Sequence, residues 1–289
     1  MSETLARARE ALPSGAPEPV PVSAPAAPRS GRVRRVLRLA GSVAKRSVAI
    51  AALLVLWEAA PRAGLVDSVF LPPFSKVVGA WLTAAGSGLL WDNLQASLLR
   101  SVTGLAIAVL VAIPLGVLIG WYRTAADLLG PLLELFRNTA ALALLPVFVL
   151  LLGLGESSKI SLVVYASTWP ILLNTVSAVR GVDALLVKSG RSLGFPPLQL
   201  FRKVVLPAAL PTVFTGIRLA GAASILVLVA AEMTGAKAGL GYMINAAQFN
   251  FEVPQMYAGI VTIALLGLVF NQVLVTLERR FSRWRTDPS

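Results

Sequence analysis

The apolar residues of this chain fall in long continuous blocks, and that pattern predicts a bundle of membrane-spanning helices. A helix needs about 20 apolar residues to cross the hydrocarbon layer of a bilayer. Lipid-exposed backbone has to satisfy its own hydrogen bonds, so each block is expected to be helical. The predicted fold is therefore an all-α polytopic membrane bundle with six transmembrane helices. The six blocks lie at approximately 46–63, 98–121, 128–154, 160–179, 205–231 and 257–277.

The residues before the first block have a different composition. Residues 1–45 are rich in Ala, Pro, Ser and Arg and have no apolar periodicity, which predicts a disordered basic tail. Because the basic stretch before the first block is long, a retained anchor is favoured over a cleaved signal peptide. The predicted organisation is this tail, a first transmembrane helix with an outside loop at 46–92, a five-helix permease core at 93–280, and a second tail at 281–289.

The positions of the charges predict the orientation of the chain. The net charge is +12, with 26 Lys and Arg residues against 14 Asp and Glu. If the first tail is cytoplasmic, most of the Lys and Arg residues fall in the tails and cytoplasmic loops, as the positive-inside rule requires. The outside loops would carry Arg62, Lys76, Lys159 and Lys237. We therefore expect a multi-pass protein of a bacterial cell membrane with both termini cytoplasmic, and we interpret the positive charge without invoking nucleic acid.

The composition argues against catalysis by this chain. There is no Cys and no His, which removes thiolate chemistry and both the commonest general base and the commonest metal ligand. No phosphate-binding G-x-x-x-x-G-K-[ST] motif is present. We expect no catalytic residues, no metal and no cofactor in the chain. An ion-coupled secondary transporter is the main alternative to a permease. It would need intramembrane carboxylates, of which the predicted spans have few, and usually internal repeats, of which the sequence shows none.

The connection between the fourth and fifth blocks is amphipathic and basic. Residues 183–193 have a helical pattern, and Gly194 is placed to cap that helix. A second short helix would carry Leu198, Phe201 and Val205 on one face. Its other face would be polar and basic. Such a unit could dock into a groove of a soluble partner or lie on lipid headgroups, and the pattern alone leaves both open.

The same connection resembles a known family. Gly194, nine further residues and then the run Val204 to Pro207 resemble the conserved cytoplasmic loop of binding-protein-dependent ABC importer permeases. The Glu-Ala-Ala half of that motif is missing, since Lys188, Ser189 and Gly190 stand there. Other segments resemble the permeases of nitrate, taurine and aliphatic-sulfonate importers, and the resemblance runs from about 93 to 277. These segments are 135–148, 152–160, 169–175 and 230–242.

The resemblance implies a type I ABC importer permease and its partners. The chain would form a homodimer with two cytoplasmic ABC ATPase subunits, which hold the ATP and Mg, and would receive solute from an extracytoplasmic binding protein. It would form the path for a small anionic solute such as an alkanesulfonate, taurine or nitrate. The loop at 181–204 would couple the path to the ATPases, through Lys188, Ser189, Gly190, Ser192, Leu193, Gly194, Leu198, Phe201, Arg202, Leu206 and Pro207.

Polar residues inside the predicted spans are candidates for the translocation path, because they are costly in lipid. Arg137 or Arg218 could attract an anion, or each could pair with a Glu to stabilise the bundle, for example Arg137 with Glu134. The Gly-rich stretch at 232–241 could form a gate or a landing surface for the binding protein, or a re-entrant loop that only packs. The candidate path residues are Arg137, Asn138, Thr139, Pro146, Asn174, Arg218, Glu232 and Met233.

Overall fold

The computed structural model describes residues 48–281. The chain divides into two units, Met1–Leu54 and Val55–Ser289. The described part of the first unit, residues 48–54, is helical, and the second unit begins with helix α1 at residues 55–62. The predicted tail at 1–45 lies outside the described residues, as does the predicted tail at 281–289 apart from its first residue, which ends the last helix. Within residues 55–281 every regular element is a helix, which agrees with the predicted all-α class.

The helices of the second unit follow one another with short connections. A 3-10 turn at Ala141–Leu144 precedes α5, and a π-helical turn at Phe201–Val205 joins α8 to α9. After α1 the elements are α2 (Phe74–Gly86), α3 (Leu89–Trp121), α4 (Arg123–Arg137), α5 (Leu145–Leu152), α6 (Glu156–Arg180), α7 (Ala184–Ser192), α8 (Pro197–Leu200), α9 (Leu206–Met233), α10 (Leu240–Phe249) and α11 (Val253–Phe281).

Four of the predicted spans are present as long apolar helices. In the described residues these are Leu89–Trp121, Glu156–Arg180, Pro197–Met233 and Val253–Arg280, which contain the second, fourth, fifth and sixth predicted blocks. A fifth span would result if α4 and the segment through α5 cross together. The first predicted span, at 46–63, begins outside the described residues, so the count of six stays a prediction.

The third predicted span, at 128–154, is not one continuous helix. The chain breaks between Arg123–Arg137 and Ala141–Leu152, and the two pieces are bent by 84°. At the break the side chains of Asn138 and Thr139 donate back to the carbonyl groups one turn earlier, at 2.9 Å and 3.1 Å. These local bonds compete with the helix, and Pro146 fits the first turn of α5, where a missing N–H costs nothing.

A line of small residues joins α3 to α6. A Cβ on Gly104 would lie 2.5 Å from Val163 Cγ1, and one on Gly116 would lie 2.7 Å from Thr175 Cβ. The two backbones therefore approach more closely than side chains would allow. Gly116 and Gly120 belong to a longer ridge with one small residue in every four, which suits close helix packing. This ridge consists of Gly104, Ala108, Ala112, Gly116 and Gly120.

Two short helices, α2 and α10, lie in segments for which the sequence pattern predicted only loops. Leu240 and Met243 of α10 are buried and pack with Leu90 of α3 and Ala84 of α2. The indole N–H of Trp81 donates to Thr262 on α11 at 3.1 Å. Both helices are shorter than a membrane span, which is why a search for long apolar blocks did not find them.

Candidate functional site

The first helix of the loop at 181–204 has a complete cap at each end. The Asp183 carboxylate accepts from the Leu185 N–H at 2.8 Å at the start of α7. At the end, Gly194 has φ +76°, its N–H donates to Arg191 O at 2.9 Å, and the Phe195 N–H donates to Gly190 O at 3.1 Å. This pair of bonds is a Schellman motif. The predicted helix and its Gly194 cap are confirmed.

The second helix of the loop presents a different face from the predicted one. Leu198 is 68% exposed, whereas Leu200 and Val205 are each 3% exposed. The reason is the π-helical turn at Phe201–Val205, which places residues five positions apart on one side. Leu200 packs against Gly190, where an added Cβ would lie 2.6 Å from Leu200 Cδ1. A side chain at this last position of the missing half-motif would therefore require Leu200 to shift.

The solvent-facing side of the loop combines apolar and basic groups. Lys203 Nζ lies 5.4 Å from the centroid of the Phe195 ring, and Trp121 of α3 meets Phe201 edge-on at 5.2 Å. The second contact attaches the loop to the end of α3. Exposed leucines beside exposed cations are suited to a partner with an apolar groove and an acidic rim. The exposed residues include Leu185, Leu186, Lys188, Ser189, Ser192, Leu193, Leu198, Arg202 and Lys203.

Helix α4 is amphipathic, with four charged residues on one face. They stand at positions i, i+4, i+11 and i+14, all close to one line along a helix of 3.6 residues per turn. In the described unit all four are exposed. A charged line of this kind cannot face lipid in a membrane span, so within a bilayer it faces water or another subunit. The four are Arg123, Asp127, Glu134 and Arg137.

Arg137 lies at the break after α4 and makes no ion pair with the described residues. The pairing with Glu134 that the sequence allowed is not formed. The ion pairs within 48–281 join other residues. Arg100 and Arg218 each meet a glutamate of another helix, whereas Arg62 pairs with Glu58 one turn away in α1. The pairs are Arg62–Glu58, Arg100–Glu156, Arg100–Glu232 and Arg218–Glu278.

Arg137 lines an open cavity of about 360 Å3, together with Thr139, Tyr165 and Trp169. The Tyr165 hydroxyl donates to Phe136 O at 2.8 Å, which holds α6 against the break. Trp169 stacks on Phe136 with ring centroids 6.0 Å apart and meets Tyr165 edge-on at 5.6 Å. The Trp169 Nε1 is buried and has no acceptor among the described residues. The cavity is thus lined by a cationic side chain and by aromatic rings beside it.

The other predicted path residues are satisfied within the bundle. Arg218 Nη1 donates to Glu278 Oε2 on α11 at 3.3 Å, as the bundle-stabilising alternative expects. Asn174 Nδ2 donates to Pro170 O at 2.8 Å, and the Asn174 side chain lies against Gly216. The Met233 carbonyl accepts from Asn245 at 2.9 Å. These residues and Pro146 do not line the cavity of Arg137.

Glu232 lies in a buried polar cluster at the far end of α9. Its side chain has 0% exposure. Arg100 Nη1 donates to Glu232 Oε1 at 2.7 Å, Ser97 Oγ donates to the same carboxylate at 2.8 Å, and the Gly241 N–H donates to it at 3.0 Å. Ser97 Oγ also accepts from the Leu240 N–H at 2.8 Å. The cluster attaches α3 and α9 to the start of α10, so the contacts of the stretch at 232–241 favour its packing alternative.

Arg100 extends the same cluster to α6, and its importance was not predicted. It donates to Glu156 through Nε and Nη2, at 2.5 Å and 2.7 Å. Lys159, expected in an outside loop, instead lies in α6 with 2% exposure and donates to Leu154 O at 2.8 Å. The sequence signal for the role of Arg100 was an Arg within an apolar block. Its partners are 56 and 132 positions away, so no local pattern could name them.

The comparisons with known proteins agree on one family. The profile described as "Binding-protein-dependent transport system inner membrane component" matches residues 112–283. The taurine transport system permease protein TauC of Escherichia coli (strain K12) is 35% identical over 243 residues, covering 82% of this chain and 88% of that protein. A Bacillus subtilis (strain 168) protein named for aliphatic sulfonates transport, SsuC, is 34% identical over 237 residues, covering 82% and 86%.

A solved structure shares the fold. A structure of the MetNI methionine ABC transporter in inward-facing conformations has a TM-score of 0.58 and 20% sequence identity, and the match covers 67% of this chain and 96% of that one. The family profile covers more than half of the chain, and the relatives match over most of their length. The chain therefore belongs to the permease components of binding-protein-dependent ABC transport systems, multi-pass inner-membrane subunits that leave ATP hydrolysis to separate ATPase subunits.

Proposed function

We propose that this permease forms the translocation path for a small sulfonate-type anion, delivered by an extracytoplasmic binding protein and driven by two cytoplasmic ATPases. Support for the substrate class comes from the relatives named for taurine and aliphatic sulfonates and from the unpaired Arg137 beside its cavity. The observation that carries the proposal is the charged line of α4, because a line of four charged residues would be costly against lipid in a helix that crosses the membrane.

The path is proposed to lie at the axis of a homodimer, and the charged line on α4 supports this position. Two copies related by a twofold axis would present the same line to one another, with a water-filled space between them. Each copy would contribute Arg123 near one end of the line and Arg137 near the break. Both termini would be cytoplasmic, which is the side on which the basic tails are expected.

The loop at 181–204 is proposed as the contact with the ATPases. Its two helices are held rigidly by the Gly194 cap and by Leu200 against Gly190, while its apolar and basic side chains face outward. A rigid, outward-facing helix pair can transmit a displacement, whereas a flexible loop would absorb it. Because α6 ends at Arg180, a displacement of the loop would act directly on that helix.

The test is to tag the chain, extract it gently from its native membrane and identify the proteins that co-purify. We expect a stoichiometric ATPase subunit and vanadate-sensitive ATP hydrolysis. In proteoliposomes with the binding protein outside, uptake of labelled taurine should require ATP enclosed on the ATPase side. Purification without a partner in two mild detergents, together with uptake driven by an ion gradient, would establish the secondary-transporter alternative instead.

A further inference from the structure

We propose that the cavity of Arg137 is a substrate-binding station in the permease, selective for organosulfonates over bare oxyanions such as sulfate and nitrate. The station consists of Arg137, Thr139, Tyr165 and Trp169. The proposal rests on the proposed function and adds a place and a chemical selectivity for the substrate within this chain. In this family of transport systems such selection would come in addition to that of the binding protein.

The anionic end of the substrate is placed by Arg137. This guanidinium is exposed, unpaired within the described residues, and located at a break where it cannot face lipid. A planar guanidinium donates in a fork that fits two oxygens of a sulfonate. The two other arginines of the predicted spans are already engaged, Arg100 with two glutamates and Arg218 with Glu278. Arg137 is thus the available cation among these three.

The organic end of the substrate is placed by the aromatic wall. Tyr165 and Trp169 line the cavity beside Arg137, and their rings are fixed edge-on to one another. A bare oxyanion would leave this apolar surface uncovered, whereas a short alkyl chain on the sulfonate would cover it. The Trp169 N–H, buried without an acceptor, adds a donor that a small shift of the ring could offer to the anion. A cavity of about 360 Å3 has room for such a molecule.

The absence of cysteine makes a direct test available. The full chain has no Cys, so Thr139→Cys introduces a single thiol into the station. The variant would be studied in lipid nanodiscs with whichever subunits co-purify. The rates of modification by a thiosulfonate reagent bearing an ethylsulfonate and by one bearing a trimethylammonium group would be measured. Each rate is divided by that reagent's rate with a small free thiol.

We expect the anionic reagent to be favoured about tenfold, because one nearby positive charge acts across a partly hydrated cavity. Adding Arg137→Gln should abolish this preference. Alkanesulfonates should protect the thiol, and each methylene should lower the half-protecting concentration about fourfold until the cavity is filled, which is the transfer free energy of one CH2 group. Sulfate and nitrate should protect only at much higher concentration.

Two controls accompany the measurement. Ser177→Cys lies in a separate cavity with Asp183 and should show neither the anionic preference nor the protection. Ala141→Cys, which also lines the station, replaces Thr139→Cys if that variant does not assemble. Equal protection by sulfate and butanesulfonate, or protection that persists with Arg137→Gln, would overturn the proposal. The labelling needs neither ATP nor delivery of substrate by a binding protein. If ATP-driven uptake is intact but protection fails, the binding station is refuted and the proposed function stands.

Discussion

Two regions of this bundle treat charged side chains in opposite ways. In the cluster around Glu232, the carboxylate accepts from Arg100, Ser97 and a backbone N–H, and the exposed fraction of its side chain is 0%. At the break after α4, Arg137 has no ion pair within the described residues and stays exposed. The first arrangement is complete without any other molecule. The second requires water, a second copy or a substrate to stabilise its charge.

Whether a charged residue is paired distinguishes a stabilising role from a functional role more clearly than its polarity does. Sequence reasoning gave Glu232, Arg137 and Arg218 the same status, because each is a charged residue in or beside an apolar block. Their partners divide them, since a buried charge with every bond made holds helices together and an unpaired one is available to a ligand. The predictions below test that division, beginning with the largest expected effect.

The strongest test is to remove the cation of the completed cluster. Arg100→Leu would leave Glu232 buried without its charge partner, and we expect a loss of about 3–5 kcal/mol in stability, the range for breaking a buried pair. The measurement is the fraction of permease that stays monodisperse in detergent on heating. The double variant Arg100→Leu, Glu232→Leu should recover part of the loss. A melting curve unchanged by Arg100→Leu would contradict the role of the cluster.

At the break after α4, Arg137→Gln should impair transport and leave stability unchanged, the opposite of Arg100→Leu. We expect unchanged thermal behaviour but a ten- to hundredfold fall in ATP-driven taurine uptake, as about 1.5–3 kcal/mol of charged hydrogen bonding would predict. Arg137→Lys keeps the charge without the fork and should fall in between. If Arg137→Gln transports normally, the unpaired charge has no part in the path.

The Gly194 cap permits a third test. Its hydrogen bonds lie within the loop, but the effect of losing them is expected in transport. Gly194→Leu forces a bulky side chain into a left-handed backbone at a cost of about 1–2 kcal/mol. We expect the permease to remain in the membrane while uptake is uncoupled from ATP hydrolysis. Gly194→Asn, which tolerates this conformation, should retain coupling. Equal uptake per ATP hydrolysed in the Leu variant and the native protein would refute the coupling role.

The smallest effect is expected for Arg218, which like Arg137 lies in a predicted span but is paired with a glutamate. Arg218 and Glu278 are partly exposed, so Arg218→Gln should cost less than about 1 kcal/mol of stability. Taurine uptake should change little. A large transport defect in Arg218→Gln with normal melting would show that this pair opens during transport, and would remove the distinction from Arg137.

Much of the fold could be predicted because the signals are local. Long apolar blocks located α3, α6, α9 and α11, and a single Gly located the end of α7. The break after α4 was missed because the apolar residues continue on both sides of it. At the break, Asn138 and Thr139 donate to carbonyl groups one turn earlier, and Pro146 lies in the first turn of α5. The shifted face at Leu200 depends on a π-helical turn that no simple period describes.

The candidate site was predictable only in part. Arg137 and Thr139 were selected as polar residues in a span, and the structure places both in one cavity. Tyr165 and Trp169 were not selected, because aromatic residues in a membrane helix are ordinary. The Glu232 cluster unites residues more than 130 positions apart, so its composition is a property of the folded chain alone.

The ridge of small residues on α3 has a mechanical consequence. Because the Gly104, Gly116 and Gly120 positions leave no room for a Cβ against α6, the backbones of α3 and α6 are in direct contact along the ridge. We therefore expect the two helices to move as a pair. Helix α6 has 25 residues, so the pair extends over about 37 Å at the usual helical rise. A tilt imposed where α6 ends at Arg180 should move α3 as well, with Pro114 and Pro170 as the points where the helices can bend.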